Sequence, residues 1–243
     1  AATRSGWPGR IHRLSRGMAL DQAPVVYEAA HEDLLAYAHA FQAPDGQVIE
    51  ATTQVRVIGD ANTVLHPNGI GGKKVALETP KDTSATFTAD HYAYVSAEDG
   101  PDPAGSLILH TISDGAKRVL FAPKPYCSVR EGSILISARW MIWIETDHME
   151  PTVKVLDLRT PDDTPTELAP PVQAQAIMIS RHDAEGADDG PYQMVTSGFV
   201  TPPTTWLFDL DKGVQGVSFE KITARPSTFD GDAFDVQLLK ATS

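Results

Sequence analysis

Cysteine is almost missing from this 243-residue chain: Cys127 stands alone. No internal disulfide can form, and the fold must be held by its core. Cationic charge is also scarce, with 20 Lys and Arg against 32 Asp and Glu, a formal net charge of −12. No basic run exceeds two residues, as at Lys73-Lys74. A nucleic-acid surface needs clustered cations to meet phosphates, so nucleic-acid binding is excluded as an expectation. No apolar run approaches the roughly 20 residues of a membrane-spanning helix, and no membrane partner is expected. The first residues, Ala1-Ala2-Thr3-Arg4-Ser5-Gly6, lack the apolar core of a signal peptide. The expected compartment is the cytoplasm, or the periplasm if a signal lies upstream of Ala1.

Long amphipathic helices are absent too. Hydrophobic residues make up 42% and charged residues 21%, enough for a packed core. The apolar residues fall in short β-rich runs separated by turn residues. Such runs cover residues 24–28, 34–41, 48–58, 91–96, 106–112, 118–121, 134–138, 140–146, 152–156, 176–180, 193–199, 204–208, 217–222 and 234–239. Residues 28–41 are ambiguous between helix and strand, but Leu35, Tyr37, His39 and Phe41 alternate, which favours a strand. The runs at 134–138 and 140–146 read as one long strand or a tight hairpin. Pro44-Asp45-Gly46 is a turn: proline sets φ, aspartate caps the turn, and glycine accepts positive φ. Val155-Leu156-Asp157-Leu158 and Trp206-Leu207-Phe208-Asp209 each read as a strand closed by an aspartate turn.

A spacing on the order of 8–12 residues between runs signals an all-β sandwich, barrel or propeller. Counting generously gives roughly 18 strands, which as four-stranded antiparallel blades makes about four to five blades. No exact repeat and no Trp-Asp blade signature occurs.

The run from Tyr192 through Thr196-Ser197-Gly198-Phe199-Val200-Thr201-Pro202-Pro203-Thr204-Thr205-Trp206-Leu207-Phe208-Asp209 resembles a segment of the prolyl oligopeptidases, serine peptidases with a β-propeller domain. Phe229-Asp230, Phe234-Asp235-Val236-Gln237 and Ala241-Thr242-Ser243 are similar to the strand by which that propeller exits into the hydrolase domain. Trp7-Pro8, Arg16-Gly17, Leu20, Ala23 and Val26-Tyr27-Glu28 resemble a strand pair in bacterial members, and Pro103-Ala104-Gly105-Ser106-Leu107 resembles a mid-propeller strand entry in the same subgroup. The resemblance implies that residues 1–243 form a partial β-propeller domain, the later blades of a seven-bladed ring. It implies a hydrolase domain outside these residues as partner, an oligopeptide substrate, no cofactor, and exposed blade edges open to association. The function implied is a propeller segment that gates substrate access in an enzyme cleaving oligopeptides after proline. A stand-alone propeller or sandwich that binds a peptide or glycan is the alternative.

No catalytic or metal-binding residue is assigned. The Gly-x-Ser-x-Gly elbow that exposes a serine nucleophile is not found, since Gly105-Ser106 and Gly132-Ser133 lack the second glycine. The chain alone is expected to be inactive. Gly69-Ile70-Gly71-Gly72-Lys73-Lys74 invites a phosphate-loop reading, but Val75 stands where Ser or Thr would meet magnesium. A hairpin loop is expected there. The acidic residues 182–190 lack the ligand spacing of a calcium loop, and Glu145-Thr146-Asp147-His148-Met149-Glu150 lacks that of zinc. Cys127 is expected to be a small buried hydrophobe, and Trp140, Trp143 and Trp206 to pack within blades.

Overall fold

A computed structural model of the chain describes residues 2–43, 45–97, 101–160, 163–183, 190–237 and 239. The strands among them fall into two compact units, the first built mainly from residues 2–123, the second mainly from residues 124–135, 139–183 and 190–237.

In the first unit, β1 (Arg10–His12) and β2 (Val25–Glu28) form a two-stranded antiparallel ribbon. A four-stranded sheet follows, β3 (Leu35–Gln42), β4 (Val48–Val57), β5 (Asp60–His66) and β6 (Val75–Ala76), each strand pairing antiparallel with the next. The next sheet repeats the pattern with β7 (Thr86–Phe87), β8 (His91–Val95), β9 (Leu107–Thr111) and β10 (Lys117–Phe121). A core of Ile49, Ala51, Leu65, Tyr92, Tyr94 and Ile108 joins facing surfaces of these two sheets. Each large side chain taken fully from water contributes about 1.5–3 kcal/mol, which fixes strand register, because a one-residue slip would turn that face outward.

The second unit continues with β11 (Cys127–Val129), the two-residue β12 (Leu135–Ile136), β13 (Trp140–Asp147), β14 (Glu150–Asp157) and β15 (Thr166–Leu168), with β12 pairing with β13 off the main strand order. The sheet order is β11-β13-β14-β15, all antiparallel. The last sheet is β16 (Ala176–Arg181), β17 (Tyr192–Ser197), β18 (Thr204–Phe208) and β19 (Glu220–Ala224). Trp140, Ile142, Ile144, Val153 and Val155 pack against Tyr192, Met194, Phe208 and Leu210. The alternation is plain in β17, where Tyr192, Met194 and Thr196 are buried and Gln193, Val195 and Ser197 are not.

Successive antiparallel sheets of four or five strands, each packing a face on the next within a unit, are the blades of a β-propeller. The fold is all-β, as expected from the spacing of the runs. Asp157 accepts the Arg159 N–H at 3.0 Å and Asp209 accepts the Asp211 N–H at 3.2 Å, so both aspartate turns form. In the turn at residues 44–46, Gly46 takes φ +83° and Asp45 accepts the Gln47 N–H at 2.9 Å; Pro44 lies outside the described residues.

Several boundaries differ from the sequence expectation. β17 stops at Ser197 because Gly198 turns the chain, its N–H donating to the Thr201 carbonyl at 2.9 Å. The run at 217–222 becomes a strand only from Glu220. Residues 234–237 form no strand: a 3₁₀ turn at Gly231–Ala233 precedes them, and Phe229 and Phe234 meet edge to face at 5.6 Å. β1, β5, β6, β7, β11 and β15 were not among the expected runs.

Candidate functional site

The serines that follow a glycine are structural. Ser106 is fully buried and its hydroxyl donates to the Pro103 carbonyl at 2.7 Å. Ser133 donates to the Arg130 carbonyl, also at 2.7 Å. Both hydroxyls cap turns and neither is presented to a substrate.

The glycine-rich loop between β5 and β6 already holds an anion, and it belongs to the protein. The Ile70 N–H donates to the Glu50 carboxylate at 2.5 Å, and the Arg13 guanidinium pairs with the same oxygen. Gly69 allows this approach at φ +79°, with the carboxylate of Glu50 3.4 Å from where a Cβ would sit. The expected hairpin loop is therefore found, with the Glu50 carboxylate on its Ile70 N–H.

Residues 145–150 form the tight β13–β14 hairpin, with Asp147 paired to Glu150 across a two-residue turn. His148 (φ +47°) and Met149 (φ +70°) both adopt the left-handed backbone such a turn demands. His148 Nδ1 pairs with the Asp147 carboxylate, and the His148 backbone N–H donates to the Tyr126 carbonyl at 2.9 Å. Among the described residues, no three His, Cys, Asp or Glu side chains gather around a metal position. Residues 184–189 of the acidic loop lie outside the described residues; His182 before them bonds the Gln193 amide at 2.8 Å.

Cys127 departs from expectation in being only half-buried, since it opens an edge strand opposite Asp147. Desolvation, then the Asp147 and Glu145 carboxylates, push its thiol pKa up, which opposes a reactive thiolate. The tryptophans pack as expected. Trp140 and Trp143 are buried, with the Arg139 guanidinium 4.4 Å above the Trp140 ring, and Trp206 donates to the Thr196 hydroxyl at 2.9 Å.

A ladder of partly exposed rings lies in the first unit, on β3. Tyr37, His39 and Phe41 alternate along the strand and share one face. Their rings follow one another at 6.4 and 6.3 Å, and Phe87 of β7 stacks on His39 at 5.3 Å and meets Phe41 edge-on at 6.0 Å. The ladder runs from the core, where Phe41 and Phe87 are half-buried, to solvent, where Tyr37 is 47% exposed. Desolvation pushes the His39 pKa down, so the imidazole is neutral at neutral pH and behaves as an aromatic plane. The alternation of these residues was visible in the sequence; Phe87, which completes the stack, carries no sequence signal linking it to β3.

No protein-family model matches the chain. An uncharacterized peptidase, y4nA, of Sinorhizobium fredii is 26% identical over 260 residues, covering 99% of this chain and 34% of the relative. Among solved structures, a post-proline cleaving enzyme from Rickettsia typhi superposes with a TM-score of 0.73 at 15% identity, covering 95% of this chain and 34% of that one. Oligopeptidase B from Leishmania major superposes at 0.66 with 13% identity, covering 97% and 34%. The chain thus spans about a third of the length of the relatives it matches. The resemblance carried by the segment from Tyr192 to Asp209 is borne out at the level of the fold: the chain has the β-propeller fold of the prolyl-oligopeptidase-type peptidases.

Proposed function

We propose that this chain is the propeller segment of a serine peptidase that hydrolyses oligopeptides after proline, and that it gates access to a hydrolase domain elsewhere in the same protein. The observation that carries the reading is the match of nearly the whole chain to the post-proline cleaving enzyme of Rickettsia typhi. Blades of a propeller surround a central channel. A channel of side chains and strand edges admits an extended peptide and excludes a folded protein by width, without chemistry of its own. The absence of a Gly-x-Ser-x-Gly elbow from the sequence fits that division of labour. The partners in this reading are the hydrolase domain and an oligopeptide, with no nucleic acid and no cofactor, since acyl transfer through serine needs none.

The test is to sequence the gene beyond the codon for Ser243 and assay its full product. An elbow followed by Asp and His, with turnover of a fluorogenic Gly-Pro substrate blocked by a serine-directed reagent, is the expected result. A stop codon at that point would overturn the reading.

A further inference from the structure

We propose that the outer edge of β3 is a docking strand for an extended peptide, bound by main-chain pairing at Ala38 and Ala40 and by ring contacts with Tyr37 and His39. The inference takes its ligand class from the peptidase reading above, and adds to it a place and a rule for side chains.

Among the described residues β3 lies at the edge of its sheet, paired on one side only with β4 in an unbroken register from Leu35 opposite Val55 to Gln42 opposite Val48. In such a strand, the N–H and C=O of alternate residues point to opposite sides. The Ala36 N–H points away from β4, because it donates to the Pro8 carbonyl at 2.9 Å. By alternation, the N–H and C=O of Ala38 and Ala40 point the same way, and both residues are exposed. An edge of this kind is a template for another strand.

The chain itself begins to use this template. The Leu34 carbonyl accepts the hydroxyls of Thr3 at 2.8 Å and Ser5 at 2.6 Å, and Pro8 takes the Ala36 N–H. Residues 3–8 thus cover the edge as far as Ala36, and the open stretch begins at the next outward-facing residue. A peptide added there continues an interface that already exists.

The two faces of β3 differ. Tyr37, His39 and Phe41 project from one, Ala36, Ala38 and Ala40 from the other. Residues directly opposite in paired strands place their side chains on the same face. A peptide that pairs antiparallel, as every strand of this sheet does, therefore sets the side chain of any residue whose N–H bonds to Ala38 or Ala40 on the alanine face. The residues between them set their side chains on the ring ladder and turn their N–H groups to solvent. The site accordingly takes an aromatic or proline ring at every second residue, because only those positions spare their N–H. It rejects proline at the positions in between.

The experiment uses the full product of the gene, with any active-site serine blocked by diisopropyl fluorophosphate, and measures fluorescence anisotropy. The probe is the fluorescein-labelled peptide Gly-Thr-Phe-Lys-Phe-Lys-Thr-Gly. The expected result is saturable binding, unchanged by N-methylation of both Phe residues and weakened at least ten-fold by N-methylation of both Lys residues. Tyr37→Ser and Ala40→Pro should each weaken binding at least five-fold; proline at position 40 removes an outward N–H and no bond to β4, so far-ultraviolet circular dichroism should not change. Absence of binding, or equal effects of the two methylations, overturns the proposal. So does sedimentation as a dimer that Ala40→Pro splits, which would make a second copy the occupant. Each of these results leaves the peptidase reading to stand or fall on the gene sequence and the Gly-Pro assay.

Discussion

The carboxylate of Glu50 on β4 receives the backbone N–H of Ile70 from the β5–β6 loop at 2.5 Å. A glycine-rich turn directs amide groups into a concave surface that favours an anion. Here Glu50 supplies the anion, and Arg13 neutralises it from outside. The loop that resembles a phosphate cradle is thereby a clasp holding the long β5–β6 connection against β4.

Glu50→Ala removes the acceptor and leaves the Ile70 N–H and the Arg13 guanidinium without their partner. Leaving a part-buried donor unmatched costs about 1–3 kcal/mol, and the Arg13 pair, at 45% side-chain exposure, adds little. The expected outcome is a fall of roughly 2–12 °C in melting temperature for a domain of this size. Glu50→Gln, which keeps a neutral acceptor, should fall by less. ATP with magnesium should leave the melting temperature of the unaltered protein unchanged. Differential scanning fluorimetry reads all three.

Acid should loosen the first unit. His39, His66, His91 and His110 all have pKa values pushed below the ordinary imidazole range, in each case chiefly by desolvation. Lys74 adds to the effect at His66 and Lys117 at His110, while nearby carboxylates oppose it at His66, His91 and His110. The buried Nδ1 atoms of His66 and His91 have no hydrogen-bond partner among the described residues, so protonation there would create a buried donor with no acceptor. Between the folded and unfolded pKa values the unfolded chain binds more protons. Stability is therefore full above about pH 6.5, the unfolded value, and declines as pH falls below it. Melting temperatures measured from pH 7.5 to 5.0 should drop along this slope, and His91→Gln should flatten it.

The β13–β14 hairpin should improve on substitution. His148 and Met149 both hold positive φ, which costs a non-glycine residue about 1–2 kcal/mol. Met149 is 74% exposed, so its side chain contributes little packing in return. Met149→Gly should stabilise the protein by about 1 kcal/mol and raise the melting temperature by roughly 2–4 °C. An unchanged or lower value would show that Met149 makes a contact that outweighs the backbone cost.

That hairpin also shows where the sequence stops being informative. The eight-residue strands on either side of it were legible from Trp140, Ile142, Ile144, Val153 and Val155, but no Asn-Gly pair announces the turn. β5 was missed for a related reason. Asp60, Ala61 and Asn62 are weak strand formers, and Gly59 at φ +88° reads as the end of structure, when it closes the hairpin that makes β5 a strand. β6 and β7 have two residues each, too few for an alternation to show. The ring ladder was half visible: Tyr37, His39 and Phe41 alternate in the sequence, but Phe87 reaches them only through the packing of one sheet on the next. Local pattern specifies strands; which distant ring completes a surface is a tertiary fact.

The last prediction concerns the segment after β19. Gly231 lies against the loop that follows β17, so close that an added Cβ would sit 2.2 Å from the Val200 carbonyl oxygen. That oxygen is backbone and cannot swing aside. Phe199, Val200, Phe229 and Phe234 line an open cleft at the same place. Gly231→Ala must therefore lift residues 229–237 away from Val200, at a cost of about 1–3 kcal/mol for overpacking. The lifted segment would expose Phe229 and Phe234, each already half in water, so global unfolding should change little and local opening much. The expected outcome is a melting temperature within a few degrees of the parent, together with faster chymotrypsin cleavage after Phe229 or Phe234. Cleavage at the parent rate would mean that Gly231 does not anchor the segment.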